Sequence, residues 1–457
     1  MKISIVIALL VVVIVDKVSS LVSHVFPGKY QIYSHKLIPS IKKVSHLNAQ
    51  QLSSDHTQST RINSNSVFSS SCLIAGTTIG GGFLALPYTT RPLGFIPSCF
   101  GLLFAWIYVT LSSLALTKLI FHIKQENNDN NTQNLSIFTI SKYFGGRKVS
   151  YLASTLFVLL MITTLIAQFS KIGSLGTQVF GYMNIHKNIY ILLSAVAMQV
   201  LLSVTKDRST IDTVNNTLSG LMFSSFGILL LFGFSNPSWS LTSLLRHQRY
   251  DLLLPTLVRA PAAAAATDAY WAIPLFLQLL VYNEVIPVVA DRVSTQKNVN
   301  KCIYLGGAVP LLMCVLWSAV ALGLTPPTAS IIDPVNYLIQ GNGNNKVIST
   351  AVTTLAFAAI QTTIIGSVLA STQFITDIFP KIKPSISKSL VIFIPALIAM
   401  GPASLYYSMT HLAGAFPVIL LWGLIPQYYA YKIGPKKRGL ALLLASVAML
   451  ICNVIRR

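Results

Sequence analysis

Apolar residues dominate eleven stretches of the chain, at about 67–88, 94–120, 150–170, 188–205, 213–234, 270–290, 302–324, 347–372, 387–404, 407–430 and 438–455. A helix crosses a bilayer core of roughly 30 Å in about 20 residues, so each stretch is long enough to span. Backbone in hydrocarbon has to satisfy its own hydrogen bonds, which favours helices there. The pattern therefore predicts an all-α polytopic membrane protein with about eleven transmembrane helices. Segment 135–145 mixes polar and apolar positions and predicts an amphipathic helix along the surface before the third span. The connections 235–269 and 325–346 carry Pro, Asn and Gly and read as loops.

Two of the spans are interrupted. The first contains Gly76-Thr77-Thr78-Ile79-Gly80-Gly81-Gly82-Phe83-Leu84-Ala85-Leu86-Pro87. Each glycine costs a helix interior roughly 1 kcal/mol against Ala. Close packing between helices is one use for such glycines. A triple glycine with a proline five residues on fits better with a locally unwound helix whose freed N–H and C=O groups face a polar cavity. Five spans later comes Leu279-Leu280-Val281-Tyr282-Asn283-Glu284-Val285-Ile286-Pro287, with three polar residues and then proline at its centre. Interrupted segments at matching places in two halves point to an inverted-repeat transporter. The first repeat is then expected at 67–234, the connecting loop at 235–269, the second repeat at 270–430 and a peripheral eleventh helix within 431–457.

Broken helices bring chemistry. A half-helix N-terminus offers free N–H groups and about half a positive charge to a carboxylate, and unwound carbonyls can take an ammonium group. Together they suit a zwitterionic amino acid. Candidate substrate contacts are Thr77, Gly80, Gly81, Gly82 and Phe83 at the first break and Tyr282 and Asn283 at the second. Glu284 is the acid placed nearest the middle of a span. A charged carboxylate there costs roughly 2.5–3.5 kcal/mol, and intramembrane ionisable groups default to function. A shallower position, in a vestibule or satisfied by backbone N–H groups, is the alternative. Thr363 and Ser367 of the eighth span either bond a neighbouring helix or face the first break. With Glu284 they are the candidate coupling groups for a proton or sodium ion. Asp291, Arg292 and Asp377 fall at span ends, as solvated or capping groups do.

Composition agrees with the pattern. The 457 residues are 53% hydrophobic and 10% charged, with a mean hydropathy of +0.65. The net charge of +21 would suit nucleic acid, but its distribution points to membrane topology. Sixteen Lys and Arg follow even-numbered spans, among them Lys124, Arg147, Arg292, Lys383 and Lys436, against seven after odd-numbered ones. That bias puts the even-side loops in the cytosol or the equivalent stroma. The sequons at Asn130 and Asn134 then lie on that side, and the one at Asn215 lies at a span boundary. The five cysteines show no CxxC or Cys/His cluster, so neither a disulfide framework nor a metal site is expected. The eight histidines form no nucleophile–base or metal constellation, and His411 in a span has no evident acidic partner, so an enzyme is disfavoured. No cofactor is implied.

Residues 3 to 15 are almost wholly aliphatic and too few to span, so 1–17 reads as a signal-peptide-like segment. Residues 18–66 are Ser-rich, basic and acid-poor, the composition of a transit peptide. The combination resembles the bipartite leaders of algae with complex plastids. A secretory signal before a disordered tail, with the chain in the plasma membrane or an endomembrane, is the alternative.

The same residues resemble a known family, the aromatic amino-acid permeases (tryptophan/tyrosine permeases) of the amino acid/polyamine/organocation superfamily. The segment Gly76 to Pro87 is similar to the family's first-helix signature of small residues, Ile-Gly-x-Gly and Leu-Pro. Phe276 to Pro287 resembles its sixth helix, Ala359 to Gly366 with Phe374, Asp377 and Phe379 its eighth, and Leu412 to Phe416 with Gly423 to Pro426 its C-terminal spans. The likeness covers about 67–432. It implies a LeuT-type five-plus-five inverted-repeat fold, with broken first and sixth helices, and proton-coupled uptake of amino acids, Trp or Tyr above all. Bacterial members commonly carry Gly-Phe-His-like residues where this chain has Val281-Tyr282-Asn283-Glu284, which leaves substrate and coupling ion open. Sodium coupling and a passive facilitator or channel are the competing readings. The plastid location of many plant and algal members agrees with the leader.

Overall fold

A computed structural model describes residues 66–455, apart from 81, 127–134, 181–184, 205–207, 238, 246–247, 251–271, 294, 325–345, 403–408, 410–411, 415 and 434–435. The leader, Gly81, the sequons at Asn130 and Asn134, His411 and most of both long loops lie outside the described residues. Every predicted span has a helical counterpart, and among the described residues no strand occurs. Seven helical segments are long and apolar enough to cross a membrane, and three shorter apolar helices accompany them. The broken first span completes the eleven.

That first span is two half-helices, α1 (66–78) and α2 (Gly82–Thr90). Pro87 lies inside α2 and not at the break; the glycines alone interrupt the helix. After a turn through Gly94 at φ +87° come α3 (Phe95–Glu126), the second span, and α4 (Ile137–Val179), the third. The amphipathic segment is a helix ahead of the span with one face buried and the other, carrying Lys142 and Tyr143, exposed. It forms the start of α4, with Ile137, Ile140 and Ser141 buried. It bends into the span at Gly146, whose φ of +72° is open to glycine and disfavoured for other residues.

The fourth and fifth spans are α5 (Lys187–Val204) and α6 (Arg208–Phe234). Asn215 lies inside α6 and is 2% exposed. A short α7 (Leu241–Leu245) packs against the seventh span, where Trp239 Nε1 donates to Ala319 O and Ser240 N to Gly323 O.

The sixth span is also broken. α8 (Ile273–Leu280) ends at Val281, which is extended at φ −74° and ψ 136°, and a single 3-10 turn follows at Asn283–Val285. Then α9 (Ile286–Arg292) begins with Pro287 in its first turn, where a missing N–H leaves nothing unsatisfied. The proline therefore starts the second half-helix. α10 (Gln296–Leu324), α11 (Lys346–Ile378) and α12 (Pro384–Ala399) are spans seven to nine. The tenth runs through a π-helical turn at Ile419–Leu424 into α13 (Ile425–Ile433), and α14 (Lys436–Ile455) is the eleventh.

The fourth and ninth spans hold equivalent places in the two halves and clasp each other reciprocally. Lys187, at the start of α5, donates to Gly401 O just past α12. Lys388, early in α12, donates to Leu202 O at 2.6 Å in the last turn of α5. Each ammonium meets the negative end of its partner's dipole.

Candidate substrate site

The carbonyls at the end of α1 lose their helical partners at the break, and the eighth span supplies others. Thr362 Oγ1 lies 2.9 Å from Gly76 O, and Thr363 Oγ1 lies 3.2 Å from Gly76 O and 3.1 Å from Thr77 O. Small residues allow this approach. A Cβ on Gly76 would come within 3.0 Å of Thr362 Cβ, and one on Gly366 would collide with Thr77 Oγ1. Ile79 N still reaches Ala75 O, and Gly80 N reaches Thr78 O. The helix unwinds within about one turn.

The sixth break leans on the second span instead. Tyr282 OH pairs with Thr110 Oγ1 at 3.1 Å, and Asn283 Nδ2 donates to Ser112 Oγ at 2.9 Å. Ser112 in turn donates to Trp422 O in the π-helical turn.

Between the two breaks lies a cavity lined by Thr77, Thr78, Gly80 and Gly82 of the first span and by Leu279, Val281 and Glu284 of the sixth. Thr363 joins from the eighth span, and Thr164, Ala167, Gln168 and Gln278 complete the wall. Of the residues singled out in the sequence, Thr77, Gly80, Gly82, Glu284 and Thr363 thus come together. Gly81 is outside the described residues. The Phe83 ring turns away, stacking on Trp317 at 5.9 Å and meeting Phe226 edge-on at 5.7 Å. Tyr282 and Asn283 face the second span, as described above. Ser367 Oγ is buried without a hydrogen-bond partner, and Ser367 is not in the lining.

Glu284 is 4% exposed, with Oε2 unpartnered, and it also lines a second cavity with Ser136, Pro287, Gln373, Phe374 and Trp422. The second cavity abuts a polar tie on the Lys/Arg-rich side of the bundle. Lys124 pairs with Asp291 at 2.9 Å, and Gln373 Nε2 donates to Asp291 Oδ2 at 2.8 Å and to Leu135 O at 3.1 Å. Asp377 accepts from Ser136 N at 3.1 Å, from the Ser136 hydroxyl and from Thr139 Oγ1 at 2.7 Å. Asp291, Arg292 and Asp377 are thus cross-links between spans, with Arg292 pairing Asp212 at 2.5 Å, rather than solvated ends.

Sequence reasoning missed Thr164, Gln168 and Gln278. The available signal was local: polar residues four apart in the third span, and one amide inside the apolar run Leu277-Gln278-Leu279. Among the described residues no group of three or more His, Cys, Asp and Glu lies together.

A manganese transporter of Eremococcus coleocola superposes with a TM-score of 0.60 over 90% of this chain and 88% of its own, at 11% identity, a likeness of fold alone. The tyrosine-specific transport system 1 of Haemophilus influenzae is 23% identical over 78% of this chain and 88% of its own. The tryptophan-specific transport protein of that organism is 24% identical over 73% of this chain and 79% of its own. Glutamine transporter 2 of Aliivibrio fischeri is 23% identical over 66% and 73%. Residues 63–454 match the tryptophan/tyrosine permease family. With its LeuT-type arrangement of broken first and sixth spans, the chain belongs to the tryptophan/tyrosine permease family and is a multi-pass membrane transporter of amino acids, not an enzyme.

Proposed function

We propose that the protein is a secondary active symporter that couples uptake of an aromatic amino acid, Trp or Tyr, to protons through Glu284. Relatives specific for tyrosine and for tryptophan support the substrate. The observation that carries the coupling is that one buried carboxylate borders both cavities. In this reading the unwound backbone at Gly80 and Val281 and the start of α2 at Gly82 hold the substrate's carboxylate and ammonium. Thr77 and Thr363 keep the first break open for it. Glu284 takes a proton from the central cavity with substrate bound. It releases that proton through the second cavity once the tie among Lys124, Asp291, Gln373 and Asp377 parts. Protonation that strengthens substrate binding is, by linkage, strengthened by substrate in turn. Residues 67–234 and 270–430 act as the two repeats, rocking about this site.

Purified protein in liposomes, given labelled Trp or Tyr under an imposed pH gradient, is expected to concentrate the substrate, and a protonophore should collapse the uptake. Accumulation that follows a sodium gradient and ignores pH would refute proton coupling; uptake that never exceeds equilibrium would make the protein a facilitator. We further propose that the leader carries it to a plastid membrane, on the strength of the Ser-rich, acid-poor composition of residues 18–66. A fusion of residues 1–66 to a fluorescent protein, expressed in an alga with complex plastids, tests this. Plasma-membrane or secreted fluorescence would count against it.

A further inference from the structure

The wall formed by the third and sixth spans is polar in a place where helix packing alone asks for no polarity. Thr164 and Gln168 are four residues apart, on one face of α4, and are 8% and 7% exposed. Gln278 stands one turn ahead of the sixth break. Its Nε2 donates to Thr164 Oγ1 at 3.2 Å, which fixes the amide and leaves Oε1 buried with no hydrogen-bond partner. Buried acceptors are nearly always paired, and an orphan on the wall of a binding cavity has a ready explanation in a ligand that completes it. In the proposed function the substrate's ammonium and carboxylate are taken by main-chain groups at the two breaks. The amide is left for a third polar group.

We infer that Gln278, oriented by Thr164, determines specificity by accepting a hydrogen bond from a donor at the far end of the substrate side chain. Substrates are then amino acids whose side chains end in O–H or N–H, as a phenol, an indole or a carboxamide does. Hydrocarbon side chains such as those of Phe and Leu are rejected. They leave Oε1 buried and unpaired where a donor would satisfy it, and sites built to bond a hydroxyl discriminate strongly against the analogue that lacks it. This inference rests on the central cavity being the amino-acid site.

Direct binding of labelled Tyr, Trp, Gln, Phe and Leu to the purified full-length protein tests it. The wild type should bind Tyr at least about tenfold more tightly than Phe, which differs only by the hydroxyl. In Gln278→Leu the ratio should fall to within about twofold, through weaker Tyr binding with Phe retained. Thr164→Val, which keeps the amide but removes its anchor, should lower the ratio part of the way. Equal affinity for Tyr and Phe in the wild type would overturn the inference while leaving the cavity as the amino-acid site, with the amide taking the ammonium. An unchanged ratio in Gln278→Leu would overturn it as well. Failure of all five to bind would defeat the proposed function, and this inference with it.

Discussion

The two broken spans reach the same cavity by opposite chemical routes. The first is broken by missing side chains. Glycines let the backbone unwind, and hydroxyls of the eighth span, Thr362 and Thr363, take carbonyls that the helix has given up. The sixth is broken by present side chains. Tyr282 and Asn283 are pulled onto the second span, and Pro287 starts a new helix beyond them. In the proposed reading both breaks offer backbone to a zwitterion, and the sixth span alone adds side chains, Glu284 and Gln278, for coupling and selection. The comparison teaches that pseudo-symmetry of fold does not require symmetry of chemistry. The reciprocal lysine clasp of the fourth and ninth spans shows symmetry kept where only packing is at stake.

The largest expected effect tests the bare-backbone side. A Cβ on Gly80 would lie 2.8 Å from Gln168 Nε2 and 3.0 Å from Thr363 Oγ1. Gly80→Val, and Gly82→Val beside it, should lower transport by about 100-fold or more with normal insertion in the membrane, measured as uptake per surface-labelled protein. Near-normal substrate affinity in both would reduce these glycines to packing residues. Next comes Thr363→Val, which takes the hydroxyl away from Thr77 O and should weaken binding by about tenfold, with Thr363→Ser restoring most of it. Equal losses in Val and Ser would point to shape rather than the hydroxyl. Tyr282→Phe probes the other break. Removing one buried hydrogen bond to Thr110 should lower thermal stability by about 1 kcal/mol and change uptake by no more than about threefold. A collapse of transport there would bring the Tyr282 hydroxyl into the substrate site. The smallest effect is expected for Lys388→Ala, about 0.3–1 kcal/mol of stability with transport kept.

Much of this was legible in the chain. Apolar runs, two interruptions five spans apart and the lone Glu284 carry the fold and the coupling candidate, because bilayer physics leaves few alternatives to a run of twenty apolar residues. The amphipathic start of α4 was legible as a helix, while its burial depended on the other spans and on Asp377, which caps it from a distance of more than two hundred residues. Side-chain direction was the part a sequence hides. Phe83, Tyr282 and Asn283 sit beside the breaks in sequence yet point away from the cavity, Phe83 as part of α2 onto Trp317 and the other two from a break with no fixed period to project its side chains. Thr164 and Gln278 look like isolated polar residues until two spans bring them within 3.2 Å.

The central claim is that Glu284 links proton and amino-acid fluxes, and one pair of assays on Glu284→Gln tests it most directly. The substitution keeps shape and removes the titration. Liposomes holding this variant should fail to concentrate Trp or Tyr under a pH gradient while still exchanging internal for external substrate. Uphill uptake by Glu284→Gln with the pH dependence of the wild type would contradict the account and move the coupling site elsewhere, to Thr363 or Ser367 first.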